Sequence, residues 1–184
     1  MRLKEIVMIQ TGVYAKESPN PNIGYIKLSD IDANNQLQSW LVPSVQIKEN
    51  VEKYLLRERD LIMVAKGTSN KCIVMPKTDF KCVASPTFFV LRVLNTEEVL
   101  PEYLCWLLNT NTMQTACKQL IRGTSLPSIS KLALGELDVY IPSIEKQTAY
   151  MKIIKLQAVE QQLSTELNEK INQVLESNII NNQL

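Results

Sequence analysis

SIEKQTAYMKIIKLQAVEQQLSTELNEKINQVLESNII, residues 143–180, decides how the chain is laid out. Neither Gly nor Pro interrupts it, which predicts one continuous helix. Pro142 ends whatever precedes it, Ser143 is a good N-cap, and Glu145 falls in the first turn where the helix dipole favours an anion. At about 1.5 Å per residue such a helix reaches ~57 Å. That exceeds the diameter of a domain built from the preceding residues, so part of the helix should project and need a partner.

Its apolar residues sharpen this. Val159, Leu163, Leu167, Ile171, Leu175 and Ile179 step by four. A strict step of four drifts about 40° per contact on a 3.6-residue helix. The stripe is therefore read as winding, with Ile153, Leu156 and Val174 filling beside it, and the helix as meeting more than one partner. Leu156, Val159, Leu163, Leu167, Ile171, Val174, Leu175 and Ile179 are the expected contacts with a second copy and with partner proteins. Gln162, Glu166, Glu169 and Gln173 break a heptad register. The plainer alternative is an amphipathic helix lying on its own domain.

The 184 residues suffice for one medium domain plus an appendage, and 45% apolar content suits a packed core. No run is long and apolar enough for a membrane helix and no leader opens the chain, so a soluble cytoplasmic protein is expected. Cys72, Cys82, Cys105 and Cys117 form no C-x-x-C pair and are expected as buried free thiols. The absence of histidine removes Ser-His-Asp and Cys-His catalysis and His-metal sites. No catalytic residues, no metal and no cofactor are expected on this chain.

Net charge is +1, which does not mark a generic DNA binder. Its distribution says more. Lys66, Lys71, Lys77, Lys81 and Arg92 face only Asp79 between Leu61 and Asn95, and Lys118, Arg122 and Lys131 face no acid between Tyr103 and Gly135. Folded onto one face, the two stretches would make a cationic surface that the average conceals.

Ahead of the helix the signals are those of an α+β domain. Residues 2–9 suit a helical turn or an edge strand. Glu17 to Asn22, with two prolines, is an exposed loop. Strands are expected at Ile23–Leu28, Leu37–Val42, Asp60–Ala65, Cys72–Met75, Cys82–Ala84 and Thr87–Val93, with a turn at Asn34-Asn35 and a helical turn at Val51–Glu58. The spacing suits a curled, mostly antiparallel sheet. Helices follow at Pro101–Thr110 and Thr112–Ile121, a loop at Arg122–Ser125, and a last strand at Leu137–Ile141. The expected domains are 1–142 and 143–184.

The order of several short motifs is similar to that of the DNA specificity subunits of type I restriction–modification systems. Tyr25-Ile26 with Asp30-Ile31 resembles an early strand. Arg59-Asp60-Leu61-Ile62 with Gly67 resembles a Gly-Asp-(Ile/Leu)-Leu strand and its loop. Arg122-Gly123-Thr124, Ile129-x-x-Leu132 and Leu137-x-Val139-x-Ile141-Pro142-x-Ile144-x-x-Gln147 lead into the helix. Here Arg59 stands where that pattern has Gly, Ser143 replaces the second proline of a pair, and Lys146 replaces Glu. The family normally carries two such units in tandem, and this chain has one.

The resemblance implies a non-catalytic target recognition domain that binds one half of a bipartite site on double-stranded DNA. The long helix would serve as spacer and as dock for methyltransferase subunits, which carry S-adenosylmethionine and connect to the restriction subunit. Two copies related by a twofold axis would form a homodimer with recognition domains at opposite ends of an antiparallel helix pair. Groove-reaching candidates are Lys66, Thr68, Ser69, Asn70 and Lys71 in one loop, Arg122, Thr124 and Ser125 in another, and Lys16, Asn20 and Asn22 as outliers. A helix-mediated adaptor without DNA recognition, or a silent recognition-domain cassette, is the rival reading.

Overall fold

The computed structural model describes residues 1–32, 36–38, 41–46, 52–67, 69–123 and 127–181, with side chains to Ser177. The chain divides into two units, Met1–Ile144 and Glu145–Leu184.

The first unit is built around residues 60–65. A strand this apolar, with no alternation, must be covered on both faces. β4 (Leu61–Val64) is such a strand, and all four of its residues are buried. Successive side chains point to opposite faces. Leu61 and Met63 enter a core with Phe89, Leu91, Leu104 and Leu108, whereas Ile62 and Val64 join Ile26, Phe88 and Val90 on the other side. β4 sits inside a four-stranded sheet with β1 (Val7–Thr11), β5 (Cys72–Val74) and β7 (Phe88–Val93), in the order β1-β7-β4-β5 and antiparallel throughout. A three-stranded sheet, β3-β2-β6, is formed by β2 (Ile23–Ile26), β3 (Pro43–Val45) and β6 (Cys82–Ala84). Its β2–β6 pair is parallel.

Helices α1 (Leu3–Ile6), α2 (Pro101–Asn109), α3 (Asn111–Leu120) and α4 (Lys131–Gly135) supply the first core's outer wall. Pro101 opens α2, where its missing N–H would be unpaired in any case. The architecture is α+β, an open and mostly antiparallel sheet with short helices, followed by α5 (Ile144–Asn181). The second unit is this helix, 38 residues without a break. Leu156, Val159, Leu163, Leu167, Ile171, Val174 and Leu175 are each between 46 and 60% exposed along it. Ile179 lies outside the described side chains.

Two expected strands are not found among the described residues. Across residues 37–42, Leu37 makes a single bridge to Ile31, and the strand falls at Pro43–Val45. Leu37 and Leu41 pack against the second core without needing a ladder, and Pro43 fits the first residue of a strand. The turn at Asn34-Asn35 lies outside the described residues. At residues 137–141, Leu137 and Val139 are buried, but the backbone makes one bridge, Asp138 with Arg2. The partner segment coils into α1 at Leu3, which ends the ladder after one rung. Residues 2–9 satisfy both expectations in turn, α1 and then β1. Of Val51–Glu58, a 3-10 turn covers Glu52–Tyr54.

Candidate nucleic-acid interface

The strand registers align Thr11, Phe89, Met63 and Cys72 in one row across β1, β7, β4 and β5. Everything just past that row belongs to a single end of the sheet: the exit of β1, the turn into β7, and the loop from β4 to β5. Gly12 N donates to the Phe88 carbonyl at 3.0 Å and Val13 N to the Ala84 carbonyl at 2.8 Å. A Cβ on Gly12 would sit 2.0 Å from the Ser85 carbonyl oxygen, so only glycine lets these backbones approach. Ala65 N and Lys66 N both donate to the Thr87 carbonyl, at 2.8 and 3.3 Å.

The second basic loop is tied to the same place. Gly67 N donates to the Pro127 carbonyl (2.8 Å), and Ile129 N to the Ala65 carbonyl (2.9 Å). Ser128 bridges both Lys66 and Arg122. Gly67 has φ 121°, a backbone that side-chain-bearing residues rarely adopt. The two loops singled out in the sequence are thus one structure, stitched by residues 127–129.

Side chains within it divide by role. Lys66, Ser69 and Lys71 are exposed. Tyr14, just past Val13, is 71% exposed; Lys16 is exposed too, but its neighbour Glu17 bridges Val45, so it lies towards the Asn22 end of β2 and not with these loops. Arg122 is exposed, but its Nη1 donates to the carbonyls of Gln119 and Ile121 at 3.0 and 3.1 Å, closing the C-terminal end of α3. Asn70 requires correction as a groove-reaching residue. It is 1% exposed, its Nδ2 donates to the Val64 carbonyl at 3.0 Å, and its main-chain carbonyl accepts from Gln114 Nε2 at 2.9 Å. It braces the loop from inside. Asn20 and Asn22 are exposed at the start of β2, where Asn22 N donates to the Val45 carbonyl. They are a strand's length from the β2 end that meets Ser85. Thr68, Thr124 and Ser125 lie outside the described residues. Tyr14, Thr87 and Ser128 were missed because each stands alone in sequence, and only the registers bring them to this end.

The opposite end of the four-stranded sheet is electrostatically different. Arg92 donates from Nε and Nη2 to the two oxygens of Asp60, at 2.8 and 2.6 Å, with Asp60 3% exposed. Arg59 makes the same two-pronged contact with Glu102, at 2.8 and 2.7 Å. Arg2 reaches Asp138 at 3.1 Å, and Lys4 pairs with Glu136. The Arg59 hydrogen bond holds the Glu102 carboxyl below the usual range, and the Lys4 bond does so for Glu136. Arg92 therefore does not join a cationic surface, and Lys77 leaves β5 at this same far end. Lys16, Lys66 and Lys71 make no ion pair among the described residues. Arg2, Lys4, Arg59 and Arg92 are paired with acids at this far end, where Arg57 and Lys77 stay exposed; Lys66 and Lys71 are the exposed lysines of the loop end.

The four thiols are free and buried. Burial pushes Cys117 up to about 11. Among the described residues no group of three His, Cys, Asp or Glu side chains could hold a metal ion, and no helix is long and apolar enough to cross a membrane.

The sequence matches the family described as the type I restriction modification DNA specificity domain over residues 1–177. The chain belongs to that family. Three solved structures share the fold. One, of the S subunit of a type I restriction–modification system from M. genitalium, has a TM-score of 0.59 at 14% identity and covers 85% of this chain and 37% of that one. A second, described as the basis of complex assembly and conformational transition of the type I R-M system, gives 0.68 at 16%, covering 94% and 42%. A third, the HsdS subunit from Thermoanaerobacter tengcongensis, gives 0.57 at 16%, covering 87% and 38%. This specificity chain therefore spans about two-fifths of the length of the S subunits it resembles. No functionally curated protein matches it.

Proposed function

We propose that this specificity chain works in the cytoplasm as the DNA-reading component of a type I restriction–modification complex. It binds one half of a bipartite site and leaves methyl transfer to partner subunits that carry S-adenosylmethionine. The observation that carries this reading is the joining of two basic loops through residues 127–129 at one end of the four-stranded sheet. Lysines at that end suit phosphate contacts, which set register without reading sequence. Ser69, Thr87 and Ser128 stand where base edges would be met. The exposed apolar side chains of α5 supply the docking surface for methyltransferase subunits and for a second copy of the chain.

The deciding experiment is co-purification with the methyltransferase subunit encoded nearest to it, followed by mapping methylated adenines in cellular DNA with and without this chain. Loss of one bipartite methylation pattern is expected and would hand over the target sequence. An unchanged methylome with no co-purifying methyltransferase would overturn the reading in favour of an adaptor or a silent cassette.

A further inference from the structure

β5 ends the four-stranded sheet, so its outer edge has no neighbouring strand. Its bonds to β4 alternate: Val64 N donates to the Lys71 carbonyl (2.9 Å) and Met75 N to the Asp60 carbonyl (2.7 Å). The N–H and C=O of Cys72, one residue after Lys71, therefore point to the outer edge. A single side chain meets both. Cys72 N donates to Asn109 Oδ1 at 2.9 Å, and Asn109 Nδ2 donates to the Cys72 carbonyl at 2.7 Å. These are the two bonds that another strand would have made there.

One residue before Lys71 the chain is held again. Gln114 Nε2 donates to the Asn70 main-chain carbonyl and to the Leu108 carbonyl, both at 2.9 Å. Leu108 lies in the last turn of α2, where carbonyls lack an intrahelical partner. Asn109 ends α2, Thr110 caps α3 through its side chain, and Gln114 follows near the start of α3. The corner between the two helices thus grips the residues on both sides of Lys71, and the Lys71 side chain is left exposed. Lys66, the other exposed lysine of this loop, is held from elsewhere, by the Thr87 carbonyl and the bridge to Ser128.

We propose that Asn109 and Gln114 are positioning residues for DNA recognition, holding Lys71 ready to meet a phosphate. Neither touches the duplex; both act through the backbone of residues 70 and 72. This rests on the DNA reading above and adds two residues to it. A segment already fixed does not have to be ordered when the duplex arrives, so the gain is in affinity and not in the number of charges neutralised.

A double-mutant cycle tests it, with binding of the full chain to a DNA duplex of mixed sequence followed by filter binding across a salt series. Gln114→Met keeps the stem and loses the donor. Asn109→Asp keeps the acceptor for Cys72 N and loses the donor to its carbonyl. Each should weaken binding roughly tenfold, about the cost of fixing one backbone residue, with the salt slope unchanged. Lys71→Gln should lower the slope by up to about 0.9. On that background the Gln114→Met loss should shrink to about twofold or less, whereas on a Lys66→Gln background it should keep its full size. Amide exchange in the free chain gives a second readout. Cys72 should exchange faster in both variants, and Ile129 should not.

Equal losses on the Lys71→Gln and Lys66→Gln backgrounds would mean a general loosening of the fold and would overturn the positioning role. So would folded variants that bind like the parent, or a failure of both variants to fold. If Lys71→Gln leaves the slope unaltered, Lys71 meets no phosphate and there is nothing to position, which also overturns the role. A bipartite methylation pattern that still depends on this chain would in each of these cases leave the specificity reading standing.

Discussion

Arg59 offers a sharp test of how the far end of the sheet is held. It has φ 68°, the left-handed region, and sits where the family resemblance has glycine. An L-residue there costs about 1–2 kcal/mol. Its guanidinium grips both oxygens of Glu102, with each side chain 43% exposed. An exposed pair of good geometry is worth about 0.5–1 kcal/mol after screening. Arg59→Ala keeps the strained backbone and loses the pair, so it should destabilise by about that amount. Arg59→Gly loses the pair but relieves the strain, less about 0.4–1 kcal/mol for the freer unfolded chain. Glycine should therefore exceed alanine by about 1 kcal/mol, or about 2–4 °C in Tm for a chain of this size. Thermal and urea unfolding of the three proteins measures it. An alanine variant as stable as the glycine variant would refute the argument. The pH dependence is a separate readout. Arg59 lowers the Glu102 pKa in the fold, so the pair's stabilisation is complete above the ordinary carboxylate range and is lost as pH falls through the lowered value. Glu102→Gln should remove that acid-side loss.

Lys66→Gln and Lys71→Gln should each reduce the salt dependence of DNA binding by up to about 0.9 in the log–log slope with unchanged Tm, whereas Lys77→Gln and Lys81→Gln should leave the slope alone; filter binding from low to moderate salt reads it. Asn70→Ala should behave in the opposite way, costing about 1–3 kcal/mol in chemical denaturation because the Val64 carbonyl loses its buried donor. Asp60→Ala leaves Arg92 half-buried and unpaired and should cost about 3–5 kcal/mol, with Asp60→Ala/Arg92→Met recovering a substantial part. A double variant no better than the single would show that the pair contributes more than it costs to bury.

The sequence was most legible where one physical demand dominated. β4 declared itself because a strand covered on both faces has no polar positions, and α5 because 38 residues pass without a helix breaker. Residues 137–141 misled because burial of alternate apolar residues predicts a strand, yet Leu137 and Val139 reach the core with a single rung of backbone pairing. In the candidate interface, composition found the two loops but not their union, since the bonds that join them run through the backbone of residues 127–129. Asn70 shows the limit of polar-loop reasoning: its neighbours Ser69 and Lys71 face solvent, while Asn70 turns inward to the Val64 carbonyl.

The exposed apolar side chains from Leu156 to Val174, spaced on average 3.6 residues apart, constrain how this part of α5 can change in length. One inserted residue adds about 1.5 Å but swings everything beyond it by about 100°, carrying half of the apolar face out of contact. Seven residues add ~10.5 Å and leave the face about 20° out of phase; eleven add ~16.5 Å and leave it about 20° out on the other side. Lengthening here is tolerable only in such near-whole turns. A helix that must keep one apolar face can therefore be lengthened only in graduated steps, and intermediate lengths are excluded by phase.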